Sequence, residues 1–198
     1  MASSSLEPDF SPASPAPDRP PGLLRPGMRV AHVSDIDLGA LRQRGIRGLI
    51  FDLDDTLVAA MSPTADPAVQ RWIAAVKADF AVYVVSNNIS ERRVAIASHD
   101  LGLPYVARAR KPSRRSFRRA LAELGLRPEE AAIVGDQLFT DVLGGNRLGA
   151  LTILVDPLSV PRRWHRRWMR SLETYVLRRH GGMPYAASRP SHEATVTD

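Results

Sequence analysis

Asp52 and Asp54 stand two positions apart in the phrase Phe51-Asp52-Leu53-Asp54-Asp55-Thr56-Leu57-Val58, directly after the apolar run Gly48-Leu49-Ile50-Phe51. Such a run reads as a buried parallel strand, and the residues just past its end lie where open α/β sheets place ligands. Carboxylates buried close together are unfavourable unless a cation or a chemical role offsets them. The D-x-D-x-T spacing therefore predicts a metal site where one Asp can attack and the other can move protons. Taken alone, the phrase is equally an acidic turn closing an apolar strand.

Three later segments shift that balance. Phe80-Ala81-Val82-Tyr83-Val84-Val85 runs into Ser86-Asn87-Asn88, and Lys111-Pro112 opens an arginine-rich stretch. Ala131-Ala132-Ile133-Val134 then runs into Gly135-Asp136-Gln137-Leu138-Phe139-Thr140-Asp141. The order Asp/Asp, Ser, Lys, Asp/Asp, mostly at strand ends, resembles the four signature motifs of the haloacid dehalogenase (HAD) superfamily of phosphatases. The resemblance covers roughly residues 28–160. Within the superfamily, Val33-Ser34-Asp35-Ile36-Asp37, Gly45-Ile46-Arg47-Gly48, Ser86-Asn87-Asn88, Lys111-Pro112-Ser113, Gly135 to Val142 and Gly144-Gly145-Asn146-Arg147 resemble the YqeG-like, subclass III branch, which includes phosphatidylglycerophosphate phosphatases. Asp55 departs from that branch, which more often has Asn there.

The resemblance implies a role for each residue. Asp52 is the nucleophile that takes the phosphoryl group as an aspartyl-phosphate. Asp54 protonates the leaving oxygen and later takes a proton from the attacking water. Mg²⁺ is held by Asp52, the backbone carbonyl of Asp54 and Asp136, with Asp141 supporting that shell directly or through water. Asp141 read locally is also an N-cap or a surface residue. Ser86 hydrogen-bonds a phosphoryl oxygen, and Lys111 neutralises charge on Asp52 and the transferring group. Asn87 and Asn88 either contact substrate or satisfy backbone groups at the strand end, the latter being the expectation for Asn88. Thr56 braces the turn.

The elements that must position these residues follow from the pattern of the chain. Strands are expected at 47–52, 80–86, 104–107, 131–135 and 150–155, and helices near 67–78, 90–101, 113–125 and 138–148. Their alternation implies parallel strands with right-handed crossovers, hence a three-layer α/β sandwich with a Rossmann-like sheet. Pro67 falls in the first turn of its helix, where its missing N–H costs nothing. Phe117, Leu121 and Leu124 supply an i, i+4, i+7 stripe to face the sheet. The interval from Asp52 to Ser86 is 34 positions and from Ser86 to Lys111 it is 25, each enough for one helix and its loops. Neither leaves length for a cap domain, so the expected site is open and suits a phosphate on something large.

Composition narrows the chemistry further. The 198-residue chain has no cysteine, which excludes disulfides, thiolate-bound metals and a cysteine nucleophile. The five histidines form no metal-ligand spacing. Net charge is +6, nearly all of it arginine, with Lys77 and Lys111 the only lysines. Arg108, Arg110, Arg114, Arg115, Arg118 and Arg119 surround Lys111, with no acid between Asp100 and Glu123. That field would draw an anionic substrate, or it is a solvated basic helix face.

Residues 1–27, with seven prolines among Ser and Ala, read as a disordered tail, as do residues 183–198. Residues 161–182 read as a basic amphipathic helix, with Trp164, Trp168, Leu172, Tyr175 and Val176 on one face. That face either packs on the domain or a partner, or lies on anionic lipid. No signal peptide or spanning segment is visible, so the expected location is cytoplasmic or peripheral at a membrane. A transit peptide stays open, although Glu7, Asp9 and Asp18 weigh against one. The expected function is an Mg²⁺-dependent phosphomonoesterase acting on phosphatidylglycerophosphate or a similar large substrate. The competing readings are a nucleotide or nucleic-acid-end phosphatase and a non-catalytic RNA- or ribosome-associated binding protein.

Overall fold

A computed structural model of the protein describes residues 22–159. The expected helix at 161–182, the tail at 183–198 and residues 1–21 of the leading tail lie outside the described residues. Six strands build one sheet: β1 (Met28–Val30), β2 (Gly48–Phe51), β3 (Ala81–Val85), β4 (Tyr105–Val106), β5 (Ala131–Gly135) and β6 (Leu151–Val155). Their order is β1-β6-β5-β2-β3-β4, and every pairing is parallel. The chain winds outward from β2 through β3 to β4, then crosses back to β5 on the other side of β2. The gap between the ends of β2 and β5 is therefore the switch point at which open sheets bind ligands.

Helices α1 (Leu38–Gln43), α2 (Pro67–Asp79), α3 (Glu91–Asp100), α4 (Arg114–Leu124) and α5 (Leu143–Asn146) cover the two faces. Successive strand residues point to opposite faces. Leu49 and Phe51 join a core with Leu41 of α1, Val69, Ile73 and Val76 of α2, and Val94 and Ala97 of α3. Ile50, Tyr83 and Ile133 join a second core with Phe117, Ala120 and Leu121 of α4. The result is the expected three-layer sandwich. Burying each large apolar side chain of α4 contributes about 1.5–3 kcal/mol, which sets that helix firmly on the sheet.

The helix starts follow local chemistry. The Asp66 carboxylate accepts from the Ala68 N–H at 2.7 Å and Pro67 occupies the first turn of α2. Ser90 and Ser113 cap α3 and α4, and α4 ends at Gly125 in the left-handed conformation, φ 66°. A single helix separates β2 from β3, and α3 with the two-residue β4 fills the interval between Ser86 and Lys111, so neither interval carries a cap domain.

Two elements were not expected. β1 is only three residues with an arginine at its centre, and α1 is a six-residue helix capped by Asp37. The leading segment also differs from expectation in its last residues. Asn146 donates to the carbonyls of Leu23 at 3.0 Å and Arg25 at 2.9 Å, and the Gly27 N–H donates to Thr152 Oγ1 at 3.1 Å, so residues 22–27 are tied to the domain. The helix expected at 138–148 is a π-helical turn, Leu138–Val142, followed by the short α5. A Cβ at Gly144 would collide with the ring of Phe117, so this glycine lets α5 close onto α4.

Candidate active site

The strand register puts the acidic residues side by side. Phe51 lies level with Val134 of β5 and Val84 of β3, so Asp52, Asp136 and Ser86 emerge just past the carboxyl ends of three adjacent strands. The Asp52 N–H donates to the Val134 carbonyl at 2.8 Å, extending the β2–β5 ladder to Asp52. The next residues turn tightly. The amides of Leu57 and Val58 both reach back to the Leu53 carbonyl, and Asp55 sits at φ 64°. Asp and Asn are the side chains that enter this left-handed region most readily, so Asp55 in place of Asn leaves the turn intact. Thr56 is buried within it, its amide 3.3 Å from the same Leu53 carbonyl.

Asp136 and Asp141 are brought together with Asp52. One carboxylate oxygen from each of the three lies within 4.8 Å of the others, and all three residues are buried. The π-helical turn makes this possible. The amides of Asp141 and Val142 both close on the Gln137 carbonyl, a widening that aims Asp141 inward. The Asp141 carboxylate also accepts from the Gln137 N–H at 3.2 Å and from Thr140 Oγ1 at 3.3 Å. Gly135 completes the fit, because a Cβ there would overlap the Asp141 carboxylate. The N-cap and surface readings of Asp141 are both set aside by its burial and its partners.

Lys111 enters from the loop after β4, its side chain 1% exposed, and its Nζ lies 2.7 Å from Asp52 Oδ1 and 2.7 Å from Asp141 Oδ1. Burial favours the neutral amine, but the carboxylates of Asp141 and Asp52 outweigh it and raise the pKa, so Lys111 is a fixed cation. Burial pushes the Asp52 carboxyl up to about 7 against the pull of Lys111, and Asp141 adds to the rise. Three buried carboxylates facing one ammonium thus carry an excess of negative charge that a divalent cation would relieve. An all-carboxylate donor set is hard oxygen, which fits Mg²⁺.

The Asp54 carboxylate stands apart from this cluster. Arg93 of α3 holds it through Nε at 3.0 Å and Nη2 at 2.9 Å, and Asn88 Nδ2 donates to its other oxygen at 2.8 Å. The same guanidinium donates to the carbonyls of Ser62 at 2.6 Å and Ala59 at 3.1 Å, so it fastens the whole loop after β2 to α3. The expected metal contact from Asp54 was its backbone carbonyl, and a side chain turned elsewhere is compatible with that.

Ser86 is buried, and its Oγ accepts from the Asn88 N–H at 3.1 Å. The Asn87 amide is engaged on both sides by the backbone of Lys111, accepting from its N–H at 2.7 Å and donating to its carbonyl at 3.2 Å. Asn87 therefore positions the lysine. Asn88, expected to satisfy backbone groups, accepts from the Ser90 N–H at 2.9 Å and in addition steadies Asp54. Arg93 is the site residue that sequence reasoning missed. Its one signal was that a lone acid beside an acidic cluster needs a cationic partner, with nothing in the spacing to say which of many arginines supplies it.

Residues 108–158 match a family described as HAD-hydrolase-like. The chain is 41% identical over 149 residues to the probable phosphatase YqeG of Bacillus subtilis, covering 75% of this chain and 86% of that protein. It is 30% identical over 167 residues to phosphatidylglycerophosphate phosphatase 1, chloroplastic/mitochondrial, of Arabidopsis thaliana, covering 79% of this chain and 48% of that protein. The chain thus spans about half the length of the plant relative. A solved HAD phosphatase from Thermococcus onnurineus aligns over 70% of this chain and 100% of its own, at 14% identity and a TM-score of 0.49.

Proposed function

The chain belongs to the HAD-like hydrolases, in the branch of the YqeG phosphatase, and on that premise we propose that it hydrolyses a phosphomonoester through an aspartyl-phosphate on Asp52. Phosphoric monoester hydrolysis is the activity of this family. The observation that carries the mechanism is the buried cluster of Asp52, Asp136 and Asp141 closed by Lys111 at the β2–β5 switch point.

In the first half-reaction the Asp52 carboxylate attacks phosphorus in line, the new O–P bond forms, and the ester P–O bond breaks. Asp54 delivers a proton to the departing oxygen. In the second, Asp54 takes a proton from the water that attacks the aspartyl-phosphate, releasing inorganic phosphate and restoring the Asp52 carboxylate. Mg²⁺, held by Asp52, Asp136, the Asp54 carbonyl and Asp141, would supply Lewis-acid neutralisation of the phosphoryl oxygens. Lys111 opposes the rise that burial gives the Asp52 carboxyl and faces the developing charge, and Asn87 fixes the lysine through its backbone. Ser86, its hydroxyl held at the β3 end, offers a donor to a phosphoryl oxygen.

For the substrate we propose a phosphate on a membrane lipid, of the phosphatidylglycerophosphate class. The name of the plant relative supports this, and so does the absence of a cap domain among the described residues. No described helix is long and apolar enough to cross a membrane. The test is Mg²⁺-dependent phosphate release from phosphatidylglycerophosphate in anionic liposomes, beside a soluble aryl phosphate and an end-phosphorylated oligonucleotide, with wild type and Asp52→Asn. Fast release from the lipid, abolished in the variant, is the expected result. Turnover of the aryl phosphate or oligonucleotide with slow lipid turnover would keep the mechanism and discard the lipid. Undiminished turnover by Asp52→Asn would remove the nucleophile, and no turnover of any substrate would favour a binding protein.

A further inference from the structure

Four large apolar side chains are exposed among the described residues: Leu23, Met61, Ile89 and Ile96. Two of them, Met61 and Ile89, each 79% exposed, sit on the loops that follow β2 and β3. These are the loops that carry Asp54 and Ser86, so both side chains stand at the edge of the sheet where the acid cluster opens. Neither loop is loose. Arg93 ties the Ala59–Ser62 segment to α3, and Asn88 ties the β3 loop to Asp54, so the two apolar tips are braced against one another by the contacts that hold the acid/base residue. An apolar side chain held out into water by a rigid frame gains nothing for the fold.

Arginines begin beside Ile89. Arg108 donates to the Ile89 carbonyl at 3.0 Å, and Arg108 and Arg110 both adopt the left-handed backbone conformation, φ 52° and 56°, which is uncommon for such side chains. Arg114, Arg115 and Arg118 continue the row into the first turns of α4, where with Arg147 they line a concavity of about 560 Å³. Among the described residues none of these six arginines has an acidic partner, whereas Arg119 is paired with Glu123. Glu91, at the start of α3, is the acid closest in sequence to Ile89.

We propose that Met61 and Ile89, with the arginine row from Arg108 to Arg118, form a docking face for an anionic phospholipid bilayer that presents the mouth of the active site to the lipid. The inference rests on the lipid-phosphatase reading and adds the surface that would serve it. Two aliphatic tips flanked by unpaired cations match an interface in which side chains enter the acyl boundary while arginines meet phosphates. Single-stranded nucleic acid fits less well, because base stacking needs exposed aromatic rings and none of the exposed large apolar residues here is aromatic.

The test is co-sedimentation of the full chain, in EDTA, with vesicles of phosphatidylcholine alone or mixed with phosphatidylglycerol. No cleavable monoester is present, so binding is read apart from turnover. Partitioning is expected only to the anionic vesicles, weakened about tenfold or more by Met61→Ser with Ile89→Ser and several-fold by Arg110→Gln with Arg115→Gln, with unchanged melting of the variants. Equal partitioning of wild type and both double variants would overturn the proposal, since binding would then come from another part of the chain, such as residues 161–182. Tighter binding to single-stranded RNA than to the anionic vesicles would overturn it too. If the phosphatase reading alone is wrong, vesicle binding persists while no phosphomonoester is turned over; if only the docking face is wrong, the aryl phosphate is still cleaved.

Discussion

Replacing Lys111 with methionine removes the cation shared by two buried carboxylates while roughly keeping the volume of the side chain. Nζ lies 2.7 Å from both Asp52 and Asp141, and all three side chains are at most 5% exposed, so bulk solvent screens them little. Removing one partner from such a buried arrangement destabilises by about 3–5 kcal/mol. For a domain of this size that lowers the melting temperature by roughly 6–20 °C. The loss is expected to depend on pH. Asp52 in the wild type takes up a proton near pH 7, so below that Lys111 faces one ionised partner fewer. In the variant the Asp52 pKa climbs further, and each unit of climb adds about 1.4 kcal/mol to the loss at alkaline pH. Thermal melts of wild type and Lys111→Met in EDTA at pH 5 and pH 8 test this, and the drop should be clearly larger at pH 8. Mg²⁺ should then restore more stability to the variant than to the wild type, because a divalent cation takes over the neutralisation. A drop of less than about 2 °C, or one of equal size at both pH values, would refute the view that Lys111 is the charge keystone of the cluster.

Further outcomes follow from the same geometry. Because the folded pKa of Asp52 is raised from its ordinary value of 3.8 to about 7, its contribution to stability is full below about pH 4 and is lost as the pH rises through about 7. Metal-free protein should therefore lose stability over that window while the Mg²⁺-induced gain in melting temperature grows; calorimetry showing the gain flat from pH 5 to 8 would count against Asp52 as a ligand. Below pH 7 the apparent Mg²⁺ affinity, read by titration calorimetry, should weaken up to about tenfold per pH unit as protons compete for the same carboxylate. Arg93→Ala frees Asp54 and should lower kcat about 10–100-fold on alkyl phosphates, with a much smaller loss on nitrophenyl phosphate, whose leaving group needs no proton; equal losses on both would make Arg93 merely structural. Gly135→Ala drives a methyl group into the Asp141 carboxylate and should cost about 1–3 kcal/mol in a denaturant titration, together with a loss of Mg²⁺ affinity.

The parts of the fold legible in the sequence are those with a local cause. Gly48 to Phe51, Ala81 to Val85 and Ala131 to Gly135 are apolar runs because parallel strands are covered on both faces, and each stops abruptly where the chain leaves the sheet. Once three such runs are parallel neighbours, adjacency forces the residues after them together, which is why the order of Asp52, Ser86 and Asp136, matched to the HAD motifs, could point to them. β1 was not legible, since Met28-Arg29-Val30 is too short for periodicity and gains its place by pairing with β6 and through the Arg29–Asp156 contact at 2.7 Å. The break of the fourth expected helix into a π-helical turn was likewise hidden, because no breaker residue within Leu138–Val142 marks it.

The same distinction separates the reacting groups from the groups that aim them. Asp52 and Asp136 are fixed by backbone register, so a pattern in the chain can reveal them. Asp54 is aimed by Arg93 from 39 positions away, and Lys111 by the amide of Asn87 from 24 positions away, through side chains whose reach leaves no periodic trace. The first contact ties the loop after β2 to α3, and the second ties the loop after β3 to the segment that carries Lys111. Among the described residues there is no cap domain to complete the site when substrate arrives. On the proposed mechanism Asp54 and Lys111 must already be held in place before binding, and the contacts from Arg93 and Asn87 do so.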